Sequence, residues 1–332
     1  MEQDSGIKIN RVNIKNFKSI GELALSDCRR INVLIGRPNV GKSNLIEALA
    51  LFDVPYMLNS SNKSLKSLVR MSNTAEIFNN GITSNPIEII ADSNIITVTR
   101  TNTNGLSLDI TTGTSTSKYL FNPSLNLSTK KEPSEFPNIL TYFFPKEFVA
   151  ESINSDYLFP PYGRNLMSTV TNLPGLKNDL SELFHGYGLK MMFDSGSQQI
   201  TAVRENGLDM FLIPFSSLAD SLQRLIFYRA AIKSNHNKVL CFEEPEAHTF
   251  PPYISLVVND ILSSRDNQFF ITTHSPYVIN SLIEEAANEL ALFVVSLKNN
   301  ETIVERLTDN QLQNIYDDGI DLFYNMETYI SK

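Results

Sequence analysis

The chain has 332 residues, 42% of them hydrophobic and 19% charged, with two cysteines and a formal net charge of −8. That composition suits a globular α/β protein with a sizeable core. It excludes a disulfide-stapled scaffold and, with no apolar run near the ~20 residues of a membrane span, a bundle of membrane helices. Residues 1–150 carry 16 Lys and Arg against 13 Asp and Glu, whereas residues 151–332 carry 12 against 23, so net charge gives no support to non-specific DNA binding. The start, Met1-Glu2-Gln3-Asp4, lacks the basic and apolar regions of a secretory leader, and sparse cysteine usage agrees with a reducing compartment; both predict a cytoplasmic protein.

Residues 8–14 nearly alternate polar and apolar side chains and predict a half-buried strand. Residues 16–21 read as a turn, 22–25 as a second strand and 30–35 as a third. A helix is expected over 42–52, a polar stretch over 59–64 and a short helix over 65–71. Four short β-type runs between 86 and 127, separated by Asn, Gly, Ser and Thr, predict an antiparallel lobe. Residues 139–144 form a buried-type strand stopped by Pro145. Residues 151–190 are expected to be helical and irregular, and 200–203 and 210–213 to be strands. From 216 onward the order is helix (218–232), buried strand (238–242), helix (253–262), buried strand (269–273), helix (281–288), hairpin (290–307) and closing helices (309–332). Alternation of this kind predicts an α/β fold with a mostly parallel core sheet, an antiparallel β-lobe and a helical insertion. The expected organisation is one unit over 1–332, made of an N-terminal lobe (1–137), an insertion (138–215) and a C-terminal lobe (216–332).

Four stretches carry chemistry. Gly36-Arg37-Pro38-Asn39-Val40-Gly41-Lys42-Ser43 fits the P-loop spacing between a predicted strand and a predicted helix. In such a loop the backbone N–H groups of Gly36, Pro38-flanking Asn39, Val40, Gly41 and the following Asn44 surround phosphate. Lys42 reaches the β- and γ-phosphates, and the Ser43 hydroxyl binds Mg²⁺. ATP and Mg²⁺ are therefore the expected cofactors. The apolar run 239–242 leads into Glu243 and Glu244, at the end of a strand that reads as buried on both faces. Glu243 is placed to hold the metal and Glu244 to orient or deprotonate water; taken alone, the pair also fits an exposed acidic turn. A second apolar strand ends in His274, within reach of a γ-phosphate if the two strands are neighbours, although a lone His at a strand end is more often structural. Finally, Ser217, Asp220 and Ser221 crowd a helix start. They read as an N-cap or, functionally, as an anion site serving a partner's nucleotide.

These pieces in this order resemble the ABC-type ATPase heads of the SMC and RecF group, and most of all the overcoming-lysogenization-defect (OLD) family and its smaller AAA-type relatives. Asn16-Phe17-Lys18-Ser19 is similar to that group's N-terminal strand-turn, Gly36 to Ser43 to Walker A, Glu243-Glu244-Pro245-Glu246-Ala247-His248 to an OLD-type Walker B, and Thr273-His274-Ser275-Pro276 to the switch-histidine motif. Ala219-Asp220-Ser221 departs from the glycines of the signature segment, Thr249-Phe250-Pro251 departs from the family's continuation, and no Q-loop glutamine is assigned. The chain after Ser275 is too short for a Toprim nuclease, and no long coiled coil interrupts it. The resemblance implies two heads sandwiching two nucleotides in a homodimer or higher homo-oligomer, with Lys42, Glu244 and His274 catalytic and Ser217, Asp220 and Ser221 supplied across the interface. It also implies a sensor or switch that controls a separate nuclease or toxin in anti-phage defence. A RecF-like DNA repair ATPase and a nucleotide-locked scaffold are the alternatives.

Overall fold

A computed structural model describes residues 8–194, 196 and 198–329; the expectations for Met1 to Asp4 and for residues 330–332 lie outside them. The strands are β1 (Val12–Phe17), β2 (Ile20–Leu25), β3 (Ile31–Ile35), β4 (Ile87–Ala91), β5 (Asn94–Arg100), β6 (Leu106–Thr112), β7 (Ser115–Phe121), β8 (Ile139–Tyr142), β9 (Lys190–Asp194), β10 (Gln199–Asn206), β11 (Asp209–Pro214), β12 (Val239–Glu243), β13 (Gln268–Thr272), β14 (Leu290–Lys298) and β15 (Glu301–Arg306). The helices are α1 (Lys42–Ala50), α2 (Leu166–Thr171), α3 (Pro174–Gly186), α4 (Asp220–Ser234), α5 (Pro251–Ser263), α6 (Pro276–Ala286), α7 (Asp309–Asp317) and α8 (Leu322–Asn325). The chain divides into two compact units, one of residues 1–141, 237–244 and 265–332, the other of residues 142–236 and 245–264.

The first unit holds the core sheet, with strand order β15-β14-β3-β13-β12-β8. Pairs β14/β3, β3/β13 and β13/β12 are parallel, and β14/β15 is antiparallel. Every residue of β3 and β13 is buried, which is why both read as mostly apolar runs, with the buried Asn32 and Gln268 satisfied by backbone carbonyls: a parallel strand covered on both faces has no solvent side to alternate with. The register sets Leu34 beside Thr272 and Thr272 beside Glu243. Whatever follows these three residues therefore leaves the sheet at one level of one edge. The loop after β3, His274 after β13 and Glu244 after β12 all leave there.

The unit's second sheet is antiparallel, ordered β2-β1-β4-β5-β6-β7. It contains the expected β-lobe and also takes in the N-terminal hairpin. The expected turn over 16–21 shrinks to Lys18 and Ser19. The strand runs through Asn16, which sits at φ 56 and whose side-chain amide donates to the Asn85 carbonyl at 2.7 Å; Asn is one of the few residues that accepts this conformation cheaply. Three helical expectations shift. The helix from 42 gives way after Ala50 to a 3-10 segment, Leu51–Asn59, with Pro55 inside it. The helix over 65–71 contracts to a 3-10 turn, Leu65–Ser67. Helix α6 begins at Pro276, well before 281, because Ser275 caps it and Pro276 occupies its first turn.

The second unit packs α2 to α5 beside a three-stranded sheet ordered β11-β10-β9. Its centre is Arg229 on α4, which donates to Asp260 on α5 at 2.7 Å and to Asp179 on α3 at 2.8 Å. Along β11 the apolar residues are exposed, Phe211 at 57% and Leu212 at 60%, so an apolar run here marks an edge strand and not a core one.

Cys28 and Cys241 are both buried free thiols. Cys241 on β12 neighbours a fully buried carboxyl, Asp53, which accepts a 2.9 Å hydrogen bond from the Thr141 backbone N–H. Burial pushes the Asp53 carboxyl well above the usual carboxylate range, against that hydrogen bond. A raised folded-state pKa means stability that is full below the unfolded value and is lost as pH rises toward the folded one. Asp53→Asn keeps the acceptor and removes the titration. Its melting temperature should match wild type below the ordinary carboxylate pKa and exceed it progressively as pH rises above that value, each pH unit short of the folded-state pKa being worth up to about 1.4 kcal/mol. Parallel melting curves at all pH values would contradict this.

Candidate nucleotide site

The loop between β3 and α1 is shaped by two glycines and Asn39. Gly41 sits at φ 103 and Asn39 at φ 63. A Cβ on Gly36 would come within 2.2 Å of the Val295 carbonyl oxygen, and one on Gly41 within 2.2 Å of Thr302 Oγ1. No side chain fits at either position. Lys42 opens α1, and its ammonium turns back across the loop to donate to the Gly36 carbonyl at 2.9 Å and the Arg37 carbonyl at 2.8 Å. Burial lowers the Lys42 pKa below its ordinary value, while Glu244 and Glu243 act in the opposite direction, so both carboxylates are electrostatic neighbours of the loop's ammonium. Ser43 is half-buried in the first turn, and Pro38 and Asn39 are exposed. The Asn44 side chain turns away to donate to Ser19 Oγ at 2.6 Å.

Glu244 leaves β12 with φ 43, a left-handed conformation uncommon for a residue with a Cβ. Its N–H is fixed by the Thr272 carbonyl at 3.0 Å and Thr272 Oγ1 at 3.1 Å. The turn aims its carboxylate at His274, whose Nε2 lies 3.2 Å from Glu244 Oε1. The His274 ring also faces Phe323 on α8, centroids 6.2 Å apart.

Glu243 is held by a residue that no motif marks. Arg70 Nη2 bonds Glu243 while Arg70 Nε donates to Glu47 on α1 at 2.6 Å, and Lys18 reaches the same Glu47. Glu47 is 2% exposed, so a buried carboxylate organises two cations from distant chain segments, as buried charge requires. Chain separations of 29 and 23 residues from Glu47, with no periodic pattern between them, left no signal in the sequence.

Gly36 to Asn44, Glu243, Glu244 and His274 thus meet at one edge of the first unit's sheet. Ser217, Asp220 and Ser221 belong to the second unit. Ala219 takes the N-cap position of α4 and no side chain caps the helix, so the N-cap reading of that segment is corrected: Asp220 instead pairs with Arg224 at 3.0 Å, one helical turn on. Among the described residues no group of three or more His, Cys, Asp and Glu side chains forms a metal cage. The donor set of Ser43 hydroxyl and Glu243 carboxylate does fit Mg²⁺, a hard cation that takes one or two protein oxygens and completes its shell with phosphate and water. No helix among the described residues is long and apolar enough to cross a membrane.

The fold is that of a P-loop NTPase head of the ABC type. The family model described as "AAA domain, putative AbiEii toxin, Type IV TA system" matches residues 31–280, well over half of the chain, and the chain belongs to that family. Among solved structures it is similar to an SMC head domain with an extended coiled coil, bound to the C-terminal domain of ScpA and derived from Pyrococcus furiosus. That likeness has a TM-score of 0.50 and 14% identity, over 93% of this chain and 98% of that one. An SMC head bound to the C-winged helix domain of ScpA aligns with TM-score 0.48 and 16% identity, over 90% and 98%. At such identities the likeness is one of fold. Uncharacterized protein MJECL10 of Methanocaldococcus jannaschii is 48% identical over 44 residues, 13% of this chain and 20% of that protein; the match thus spans about a fifth of that relative's length.

Proposed function

We propose that this head binds and hydrolyses ATP with Mg²⁺, and that it works as a switch for a separate effector. The observation that carries the reading is the convergence at one sheet edge of the Lys42 loop, Glu243 and the Glu244–His274 pair, 3.2 Å apart. Lys42 exchanges its two loop carbonyls for phosphate oxygens. Glu244 accepts the proton of an attacking water, and His274 holds that carboxylate in place and faces the terminal phosphate. Glu243 and Ser43 would hold Mg²⁺, which when bound would offset the negative charge on the phosphates.

Two copies pair around two nucleotides, with Ser217, Asp220 and Ser221 facing the partner's nucleotide. The OLD-like motifs and the toxin named in the family description support a nuclease or toxin as effector, in anti-phage defence. These are analogies of family, not of site.

The test is phosphate release by the purified protein. Release should depend on ATP and Mg²⁺ and be indifferent to DNA. ATP binding without release would leave a nucleotide-locked scaffold. Release that rises with DNA and falls steeply with salt would favour a repair ATPase.

A further inference from the structure

The hairpin of β14 and β15 forms the floor of the loop: Val295 meets it at Gly36 and Thr302 at Gly41. Thr302 is 1% exposed. Its hydroxyl lies 2.9 Å from the Val40 carbonyl oxygen, which only accepts, so the Thr302 proton is committed there. Ser19 Oγ, 2.7 Å from Thr302 Oγ1, must then donate to Thr302. Asn44 Nδ2, 2.6 Å from Ser19 Oγ, can only donate. The protons therefore all point one way, from Asn44 to Ser19 to Thr302 to the Val40 carbonyl. Hydrogen bonds in such a series polarise one another. The series ends on the peptide joining Val40 to Gly41, whose N–H belongs to the set that a P-loop turns toward phosphate.

We propose that Thr302 is a positioning residue for ATP: through its hydroxyl it fixes the Val40–Gly41 peptide and strengthens that N–H as a phosphate donor. The assignment rests on reading residues 36–43 as the nucleotide loop. It predicts a loss in binding that follows the hydroxyl and not the volume of the side chain.

Thr302→Val keeps the shape and deletes the hydroxyl; Thr302→Ser keeps the hydroxyl. Binding of a fluorescent ATP analogue with Mg²⁺ is read on both, on wild type and on Ser19→Ala, each below its own melting temperature measured without nucleotide. Thr302→Val should bind about tenfold more weakly, ~1.4 kcal/mol, with Thr302→Ser restored to within about twofold of wild type. Ser19→Ala should lose about threefold, and the double variant should lose less than the product of the two single losses. Thr302→Val binding like wild type overturns the assignment, as does Thr302→Ser failing as badly as Thr302→Val. If Thr302→Val does not fold, Ser19→Ala decides: weakened binding supports the assignment and unchanged binding overturns it. A wild type that binds no ATP overturns the nucleotide reading and this assignment with it, whereas a wild type that binds beside an equally competent Thr302→Val overturns the assignment alone.

Discussion

Lys42→Ala protein should bind ATP at least about 100-fold more weakly than wild type, ~2.7 kcal/mol, because charge-assisted hydrogen bonds to the phosphates vanish together. Its melting temperature should move little. Removing the side chain loses two hydrogen bonds to the Gly36 and Arg37 carbonyls. It also removes an ammonium that burial disfavours, the first cause of its lowered pKa, and the two effects oppose each other. The loss therefore belongs to the ligand and not to the fold. Equilibrium binding beside a melting curve separates the two, and a folded Lys42→Ala protein that keeps wild-type affinity would falsify the phosphate role of the loop.

Glu244→Gln should bind ATP normally and turn it over at least about 100-fold more slowly, the usual contribution of a positioned general base. Glutamine preserves the length of the side chain and an oxygen for His274 Nε2, now 3.2 Å from Glu244 Oε1, but it cannot take a proton at neutral pH. With hydrolysis stalled, any assembly that needs intact ATP should persist, so the variant's mass in solution should double on adding ATP and stay doubled. Wild-type turnover in Glu244→Gln would remove Glu244 from the chemistry. A stalled enzyme that stays monomeric with ATP bound would leave the chemistry standing and remove the nucleotide sandwich.

The parts of the site that were legible are those whose chemistry is written in consecutive residues. A phosphate loop needs its glycines and lysine at fixed offsets, so 36–43 could be read directly. Glu243, Glu244 and His274 were legible for a different reason: a strand buried on both faces is mostly apolar, and the polar residues at and just past its end sit at the sheet's edge. The supports were not legible. Arg70 meets Glu243 across 173 residues and Thr302 meets Val40 across 262, and neither pairing has a local pattern. The helix start at Pro276 did carry its own signal in Ser275-Pro276, but those residues also complete the histidine motif, and the helical reading yields to it. At Ser217 to Ser221 the composition of a cap is present without the cap, because the N-cap position falls on Ala219, which has no side-chain acceptor.

The floor of the phosphate loop is laid long after the loop itself. Strand β3 and its loop are made early in synthesis, but the flanking strands β13 and β14 and the Thr302 hydroxyl lie more than 230 residues further on. At ordinary translation rates that gap is roughly tens of seconds. Through that interval a nascent chain carries an intact Walker sequence with nothing beneath it. The proposed capture of nucleotide is thereby tied to synthesis of residues 290–306, and a product truncated before them, even one retaining residues 36–43 and 243–274, should be unable to grip ATP.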